Sequence, residues 1–277
     1  MTSDTTPSSS RPGGRAPDAL RPILIETGPL KYAEGSALIS CGDTKVLVAA
    51  SVESTVPPFL RDTGQGWITA EYAMLPRSTL TRNRREVKQG RPSGRTSEIQ
   101  RLIGRSLRAV VDLRVLSERT LYLDCDVLQA DGGTRTASVT GAWVALYLAC
   151  SRLLLTGDIT EWPLTGQLAA VSVGTVEGTP LLDLEYIEDQ DAEIDMNVVA
   201  TAKGELVEVQ GTGEKRSFPR SELDELLDLA LQGIGELAQA QNEALAETRK
   251  EVAAVLGKES RQQAPPKSEA DLWGAPE

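Results

Sequence analysis

Residues 131–141 read Asp-Gly-Gly-Thr-Arg-Thr-Ala-Ser-Val-Thr-Gly and join a strand-like run, residues 120–128, to a mostly apolar stretch, residues 136–155. This order predicts a buried strand, a tight glycine turn and a helix in the core. The glycines let the backbone approach a ligand, and Thr134 can cap the helix. Arg135 adds a fork of donors at a helix N-terminus that already favours negative charge. The segment therefore predicts a phosphate site.

The residue types exclude several chemistries, since histidine is absent from all 277 residues. A Ser-His-Asp triad, a Cys-His nucleophile pair and a histidine-ligated zinc centre are ruled out. Arginines, carboxylates, hydroxyls and any metal that the carboxylates hold are left for polar catalysis. The three cysteines, Cys41, Cys125 and Cys150, are widely spaced inside apolar runs. Their odd number and spacing favour reduced core residues over disulfides or zinc ligands.

Length and composition permit one large domain or two small ones, since 40% of the residues are hydrophobic and can form a sizeable core. We predict one globular unit, residues 11–256. Residues 1–10 are rich in Ser, Thr and Pro without an apolar targeting segment, so we expect a disordered arm. Residues 257–277 are polar and are expected to form a disordered tail. The sequence has no run of about 18 apolar residues, so we expect a cytoplasmic protein that neither enters a membrane nor is secreted.

Two groups of strands are predicted from alternating or continuous apolar runs. They cover residues 37–40, 45–52, 66–71 and 120–128, and then residues 168–176, 180–186, 194–201 and 206–210. Helical patterns lie between the groups and after the second. The order strands, helices, strands, helix predicts an α+β fold rather than a strict βαβ alternation.

The first two helices lie between the strand groups. An apolar stripe follows Ser97 at helical spacing, and Ser97 with Gln100 could form a capping box at the start of that helix. Residues 136–155 are mostly apolar and predict a second, buried helix.

A long helix is predicted over residues 221–256. Ser221 and Asp224 are expected to act as its capping pair. Gly233 and Gly235 predict a bend near the middle.

The charge is unevenly distributed along a chain whose net charge is −11. Residues 77–119 contain eleven arginines and one lysine against four carboxylates, a local charge of +8 that leaves −19 elsewhere. Because salt screens charges beyond roughly 8 to 10 Å, such a region can bind a polyanion on an acidic protein. A solvated helix face with a charged loop is the alternative for any charge run. The excess of arginine over lysine favours phosphate recognition.

Arg95 stands just before the helix predicted from Ser97 and follows the flexible segment 90–94. A second helix N-terminus therefore carries an arginine. The two helix ends, with Arg95 and Arg135, could hold one phosphate between them.

A dense group of carboxylates occupies residues 186–195, predicted as a turn between two strands. Oxygen-rich sites suit Mg²⁺ or Mn²⁺, and one or two carboxylates beside substrate phosphates commonly hold such an ion. A solvated acidic loop is the alternative.

Together these segments resemble the ribonuclease PH family, related to polynucleotide phosphorylase and the exosome ring subunits. The resemblance extends from Arg11 to about the middle of the last helix. Its motifs include Gly14-Arg15, Leu20-Arg21-Pro22, Gly42-Asp43-Thr44, residues 66–72, Met74-Leu75-Pro76-Arg77, Gly94-Arg95-Thr96, residues 98–105, Asp124-Cys125-Asp126, residues 129–141, Asp195-Met196-Asn197-Val198 and residues 209–212.

The resemblance implies an α+β fold of the ribosomal protein S5 domain 2 type, assembled as a ring-shaped homo-hexamer from three dimers. It implies phosphorolytic 3′ to 5′ exoribonuclease activity, that is, tRNA nucleotidyltransferase activity. Inorganic phosphate is then the co-substrate, tRNA precursors are the main RNA substrate, and nucleoside diphosphates are released reversibly. Mg²⁺ or Mn²⁺ is the implied cofactor.

The resemblance also implies roles for individual residues. The implied phosphate-binding residues are Arg95, Gly133, Thr134 and Arg135. Asp189 and Asp195 match the family's aspartates associated with the metal and with acid catalysis, so the implied catalytic set is Asp189, Asp195, Arg95 and Arg135. Arginines of the family's tRNA-binding loop match Arg77, Arg82 and Arg85.

Two other functions are alternatives. The first is a non-catalytic RNA-binding ring scaffold, which is disfavoured because all four implied catalytic residues are present. The second is a kinase-like enzyme, which is disfavoured because the sequence lacks a Gly-x-x-x-x-Gly-Lys-Ser/Thr loop. The sequence contains few aromatic residues, so an extensive base-stacking surface is not expected and RNA should be held chiefly by its backbone.

Overall fold

The computed structural model describes residues 11–86 and 90–262, so the predicted arm and most of the predicted tail lie outside the described residues. One sheet has the strand order β1-β2-β3-β5-β4. Its strands are β1 (Ile23–Thr27), β2 (Gly35–Cys41), β3 (Thr44–Glu53), β4 (Trp67–Met74) and β5 (Thr120–Gln129). Neighbouring strands are antiparallel except β4 and β5, which are parallel.

The second sheet is antiparallel and has the order β7-β6-β8-β9. Its strands are β6 (Leu168–Val176), β7 (Thr179–Leu182), β8 (Ile194–Thr201) and β9 (Leu206–Gly213). The helices are α1 (Gly94–Arg108), α2 (Thr134–Thr156), α3 (Tyr186–Asp191), α4 (Arg220–Ala244) and α5 (Ala246–Gln262). The combination of helices with mixed and antiparallel sheets confirms the predicted α+β class.

Helix α2 lies between the sheets, and both faces of β6 are buried. Leu168 and Ala170 share a core with α2, whereas Ala169, Val171 and Val173 pack in a second core with α4. Within the described residues α2 is the one helix long and apolar enough to cross a membrane, but 78% of its apolar window is buried, as expected of a core helix. All three cysteines are free and buried, as predicted.

The predicted strands are present with shifted ends, and β7 stops at Leu182 rather than continuing to Tyr186. Strand β1 was not predicted. Its residues Ile23–Thr27 lie at the edge of the sheet, and each of them is either partly buried or exposed. Partly buried Ile23 and Ile25 alternate with exposed Leu24 and Glu26, but Leu24 is apolar, so the sequence lacks the apolar–polar alternation that makes a strand recognisable.

Helix α1 begins earlier than predicted. Ser93 is its N-cap, and the Ser93 hydroxyl accepts a hydrogen bond of 3.1 Å from the Thr96 backbone N–H. The predicted capping box at Ser97 and Gln100 is therefore wrong, because Ser97 already lies inside the helix.

The predicted long C-terminal helix is two helices, and its predicted bend is misplaced. Leu245 separates α4 from α5, with φ −98° and ψ 5°. Gly233 lies within α4, where an added Cβ would stand 2.7 Å from a methyl group of Leu182. That glycine therefore allows close packing on β7 rather than a bend.

The ends of this helical region also differ from the prediction. Pro219 occupies the N-cap of α4 without a side-chain hydrogen bond, so Ser221 and Asp224 are not a capping pair. Asp224 instead lies 3.7 Å from the guanidinium of Arg220. Helix α5 extends to Gln262, past residue 257 where the tail was predicted to begin.

Three arginines tie the N-terminal segment to the chain just before and within α3. Arg11 Nε lies 2.6 Å from Glu188 Oε1, and Arg15 Nη2 lies 3.1 Å from Glu188 Oε2. Arg21 Nη2 lies 2.7 Å from Asp183 Oδ1. These side chains are largely buried, so the ion pairs fix the position of α3.

Asp183→Asn is expected to lower the free energy of unfolding by about 3 to 5 kcal/mol, because it leaves the buried Arg21 guanidinium without its carboxylate. Burial acts to raise the pKa of Asp183, but Arg21 holds this pKa below its ordinary value of 3.8. The stabilisation is therefore complete above about pH 4 and is lost as the pH falls through the depressed pKa. Urea unfolding at about pH 7 and about pH 3 measures both effects.

Asp191→Asn is the control, since the Asp191 side chain is 73% exposed and its loss should change the unfolding free energy by less than about 0.5 kcal/mol. An Asp183→Asn deficit of the same size at both pH values would contradict the ion-pair explanation.

Candidate active site

The glycine turn after β5 requires its glycines. Gly132 and Gly133 have φ values of 74° and 66°, in the left-handed region. A Cβ on Gly132 would lie 2.5 Å from the Leu184 carbonyl oxygen. Gly133 is the N-cap of α2, so Thr134 is the first helical residue and the predicted capping role of its side chain is wrong. Its hydroxyl shares a hydrogen bond of 2.9 Å with the Tyr72 hydroxyl instead.

Two side chains from the first sheet region hold this turn in place. The Thr44 hydroxyl donates to the Gly132 carbonyl at 2.6 Å and accepts from the Asp131 backbone N–H at 2.9 Å. The Arg21 guanidinium donates to the Asp131 carbonyl as well. The start of α2, with its free N–H groups, is thus oriented by contacts that do not depend on a ligand.

Arg135, in the first turn of α2, is positioned by a polar network. Its Nη1 donates to Gln210 Oε1 at 2.9 Å and to Glu98 Oε2 at 3.4 Å. Gln210 Nε2 donates in turn to Glu98 Oε1 at 2.9 Å and to Glu208 Oε1 at 3.0 Å. The network joins α1, α2 and β9, so three elements determine the direction of the guanidinium.

Arg95 lies inside the first turn of α1 rather than before the helix as predicted. Its side chain is exposed. Within the described part of the chain, it has no hydrogen bond or ion pair to another residue. Arg95 is therefore available to an anion without breaking an internal contact.

Asp189 and Asp195 come from adjacent elements, α3 and β8. The segment containing Asp189 was predicted as a turn but forms a short helix, because Glu185 and Glu188 make a capping box at its start. Burial and the neighbouring Asp189 carboxylate raise the pKa of Asp195 to about 6. Desolvation also raises the pKa of Asp189, although Arg95 acts to lower it. Two adjacent carboxyl groups therefore favour sharing a proton or a cation.

One cavity of about 360 Å³ collects the predicted phosphate and acid residues. Its lining includes Arg95, Gly133, Thr134, Arg135, Asp189 and Asp195. A neighbouring cavity of about 520 Å³ shares Arg95, Arg135, Asp189, Asp195 and Asn197 with the first. The two helix N-termini and the carboxylate pair therefore face common space.

Three residues of these cavities, Asn197, Gln210 and Tyr186, could not be assigned a role from the sequence. Asn197 and Gln210 lie within the motifs that carry the resemblance, but only the fold brings them beside Arg135 and Asp195. Tyr186 is the first residue of α3 and lines the same cavity as Arg95. Its position within the carboxylate-rich segment was the available signal.

The predicted tRNA-binding arginines are not part of the cavity lining. Arg77, Arg82 and Arg85 are exposed on the segment after β4. Arg77 donates to the Thr79 carbonyl at 3.2 Å and also to the Leu80 carbonyl. The same segment lines the cavity through Thr79, Leu80, Thr81 and Asn83. These arginines therefore stand on a loop that borders the cavity.

The donor set fits a divalent cation. Asp189 and Asp195 offer carboxylate oxygens, and the Asp189 carboxylate raises the pKa of Asp195. Mg²⁺ commonly binds one or two carboxylates together with substrate phosphate oxygens. Among the described residues, no group of three or more His, Cys, Asp or Glu side chains could hold a metal by itself. An ion here would depend on water and substrate to complete its coordination.

The α+β fold and a cavity that joins two arginines to paired carboxylates suit the transfer of a nucleotidyl or phosphoryl group. Residues 19–151 match the 3′ exoribonuclease family, domain 1, and residues 166–233 match the 3′ exoribonuclease family, domain 2. The chain therefore belongs to the 3′ exoribonuclease family, in its ribonuclease PH branch of phosphorolytic enzymes.

The similarity to curated relatives covers most of the chain. Over 235 residues this chain is 59% identical to Ribonuclease PH of Caulobacter vibrioides strain NA1000 / CB15N, and the match spans 85% of this chain and 99% of the relative. Ribonuclease PH of Caulobacter vibrioides strain ATCC 19089 / CIP 103742 / CB 15 gives the same values.

Solved structures share the fold at lower identity. Rice Rrp46 aligns with a TM-score of 0.69 and 21% identity, covering 85% of this chain and 100% of that chain. An Archaeoglobus fulgidus exosome with RNA bound to the active site aligns with a TM-score of 0.70 and 24% identity, covering 83% of this chain and 92% of that chain. These similarities support the fold assignment.

Proposed function

We propose that this chain shortens the 3′ ends of tRNA precursors by phosphorolysis, with Arg95, Arg135, Asp189 and Asp195 as its catalytic residues. The observation that carries the proposal is that these four side chains line the same cavity. A non-catalytic scaffold would not need this combination of an arginine that has no internal partner among the described residues and two carboxylates with raised pKa values.

The arginines bring the nucleophile to the RNA. Orthophosphate binds Arg95, Arg135 and the free N–H groups at the start of α2, near Gly133 and Thr134. Its oxygen attacks the phosphorus of the last 3′ phosphodiester. A phosphorus–oxygen bond forms to orthophosphate, and the bond from that phosphorus to the preceding 3′ oxygen breaks. The products are a nucleoside diphosphate and an RNA shortened by one nucleotide.

The carboxylates act on the leaving 3′ oxygen, which needs a proton or a nearby positive charge. Asp195 can hold that proton, because burial and Asp189 raise its pKa to about 6. Mg²⁺ or Mn²⁺ held by Asp189 and Asp195 would supply positive charge at the same oxygen. The arginines spread the charge that develops on the transferring phosphoryl group.

Labelled RNA incubated with and without inorganic phosphate tests the proposal. Release of nucleoside diphosphates that requires phosphate is expected, and excess nucleoside diphosphate should extend RNA because the reaction exchanges one phosphate linkage for another. Nucleoside monophosphates formed without phosphate would indicate a hydrolase, and no release would indicate a scaffold.

Arg82→Ala combined with Arg85→Ala is expected to weaken binding of tRNA precursors, because two phosphate contacts are lost. The slope of the logarithm of the binding constant against the logarithm of the salt concentration should become less steep by about 1 to 2. Binding at several salt concentrations measures this. Phosphorolysis of short oligonucleotides should be unchanged.

Arg220→Ala is the control, since Arg220 is 89% exposed at the start of α4, outside the loop. Equal losses on tRNA precursors and short oligonucleotides would show that the loop does not recognise the tRNA body.

The assembly and location are further parts of the proposal. We infer a homo-hexamer, a trimer of dimers, in which the basic loops of neighbouring subunits approach one another. The resemblance and the structural similarity to an archaeal exosome core support a ring. Sedimentation of the whole chain should give one species of hexamer mass. We also infer a cytoplasmic location.

A further inference from the structure

The cavity that holds the catalytic residues is also lined by apolar residues. Met74, Ala130, Leu184, Leu80 and Tyr186 line it together with the arginines and carboxylates. Leu80 is 84% exposed and Tyr186 is 44% exposed, so both apolar surfaces face open space rather than the core. Exposed apolar groups beside a polar catalytic centre are typical of a surface that contacts a flat part of the ligand.

Tyr186 has a defined position relative to the reaction centre. It begins α3, and Asp189 follows three residues later, so the two side chains lie on neighbouring positions of one helix face. Gln190 Nε2 donates a hydrogen bond of 2.8 Å to the Tyr186 hydroxyl. The hydroxyl thus has an internal partner, while the ring remains partly exposed in the cavity.

The other exposed aromatic side chains are unsuited to this position. Among the described residues the strongly exposed rings include Tyr32 at 87% and Phe59 at 66%, and neither lines the catalytic cavity. Tyr186 is therefore the aromatic surface that a substrate reaching Asp189 would meet.

We propose that the Tyr186 ring is the stacking surface for the base of the 3′-terminal nucleotide, and for the same base in the nucleoside diphosphate product. The inference rests on the proposed function and adds a substrate-binding residue to it. When the product's diphosphate occupies the arginine side of the cavity, its base lies at the apolar side against Tyr186. Every base has a π-face, so one ring gives affinity with weak sequence selectivity.

Calorimetric binding of ADP and of base-free ribose 5-diphosphate to the whole protein tests the proposal. Wild type is expected to bind ADP about 5- to 160-fold more tightly than the base-free compound, the range for stacking of one base. Tyr186→Ala should bind both compounds equally, because the base then has no ring to contact. Tyr186→Phe should retain the wild-type ratio, since the ring is kept. CDP in place of ADP should give a similar pattern.

Tyr32→Ala is the matched control, because Tyr32 is a more exposed tyrosine outside the cavity. An unchanged preference for ADP in Tyr186→Ala would overturn the proposal, and so would loss of the preference in Tyr32→Ala. Binding needs no turnover, so this outcome is separate from the phosphate-dependent release of nucleoside diphosphates that tests the proposed function. Unchanged affinity of Tyr186→Ala for ribose 5-diphosphate would show that the variant keeps a folded diphosphate site.

Discussion

Asp195→Asn is expected to lower kcat for phosphorolysis by about 10²- to 10⁴-fold, the range for loss of a positioned acid or base. Asparagine keeps the size of the side chain but can neither donate a carboxyl proton nor contribute a negative charge to a cation site. Because Asp195 lies in β8 between two paired strands, the isosteric change should leave the sheet intact. Initial rates of nucleoside diphosphate release at saturating RNA and phosphate measure the effect.

Asp191→Asn is the control for this prediction, since Asp191 ends the same helix that carries Asp189 and its side chain is 73% exposed. Its kcat should equal that of the wild type. A wild-type rate in Asp195→Asn would contradict a role for this carboxylate in the chemical step, whereas a rise in KM for RNA with unchanged kcat would limit Asp195 to binding.

Glycine and arginine chemistry made much of the site predictable from sequence. Gly132 and Gly133 have positive φ values, which glycine adopts readily, so two successive glycines predict a tight turn here. Arg135 follows shortly after this turn. The strong apolar runs that became β3 and α2 also predict their own structure, because buried residues recur at every second position of β3 and cover most of α2.

Elements fixed by distant contacts were not predictable in the same way. Helix α3 was predicted as a turn, because six residues rich in carboxylates carry no apolar period. It is held by Glu188, which pairs with Arg11, 177 residues away in sequence. The cap of α1 was misplaced because Ser93 and Ser97 both satisfy the local rule, and only Ser93 bonds Thr96.

The grouping of the site is likewise a property of the fold. Asp189 and Asp195 are near one another in sequence, but Arg95 and Arg135 belong to different helices. The contact of Arg135 with Gln210 across 75 positions could not be inferred from spacing. The sequence predicts residue types suited to phosphate and metal, and the fold supplies the cavity that they share.

Arg95→Ala is expected to lower kcat/KM for inorganic phosphate by about 10²- to 10³-fold, as for the loss of one preorganised donor to a developing anion. Most of the loss should appear as a higher KM for phosphate, because Arg95 is proposed to hold the nucleophile before as well as during the reaction. Stability should be nearly unchanged, since Arg95 is exposed and has no internal partner in the described part of the chain. Rates at varied phosphate and saturating RNA measure the change.

Arg101→Ala on the same helix is the matched control, because Arg101 is also exposed but lines neither catalytic cavity. It removes the same charge from α1, so any general effect of the basic surface on RNA or phosphate should appear in both variants. A specific phosphate site requires Arg95→Ala to fall well below Arg101→Ala. Equal phosphate dependence in the two variants would mean that Arg95 acts only through the overall positive charge of the basic surface. In that case Arg135 and the start of α2 alone would bind orthophosphate.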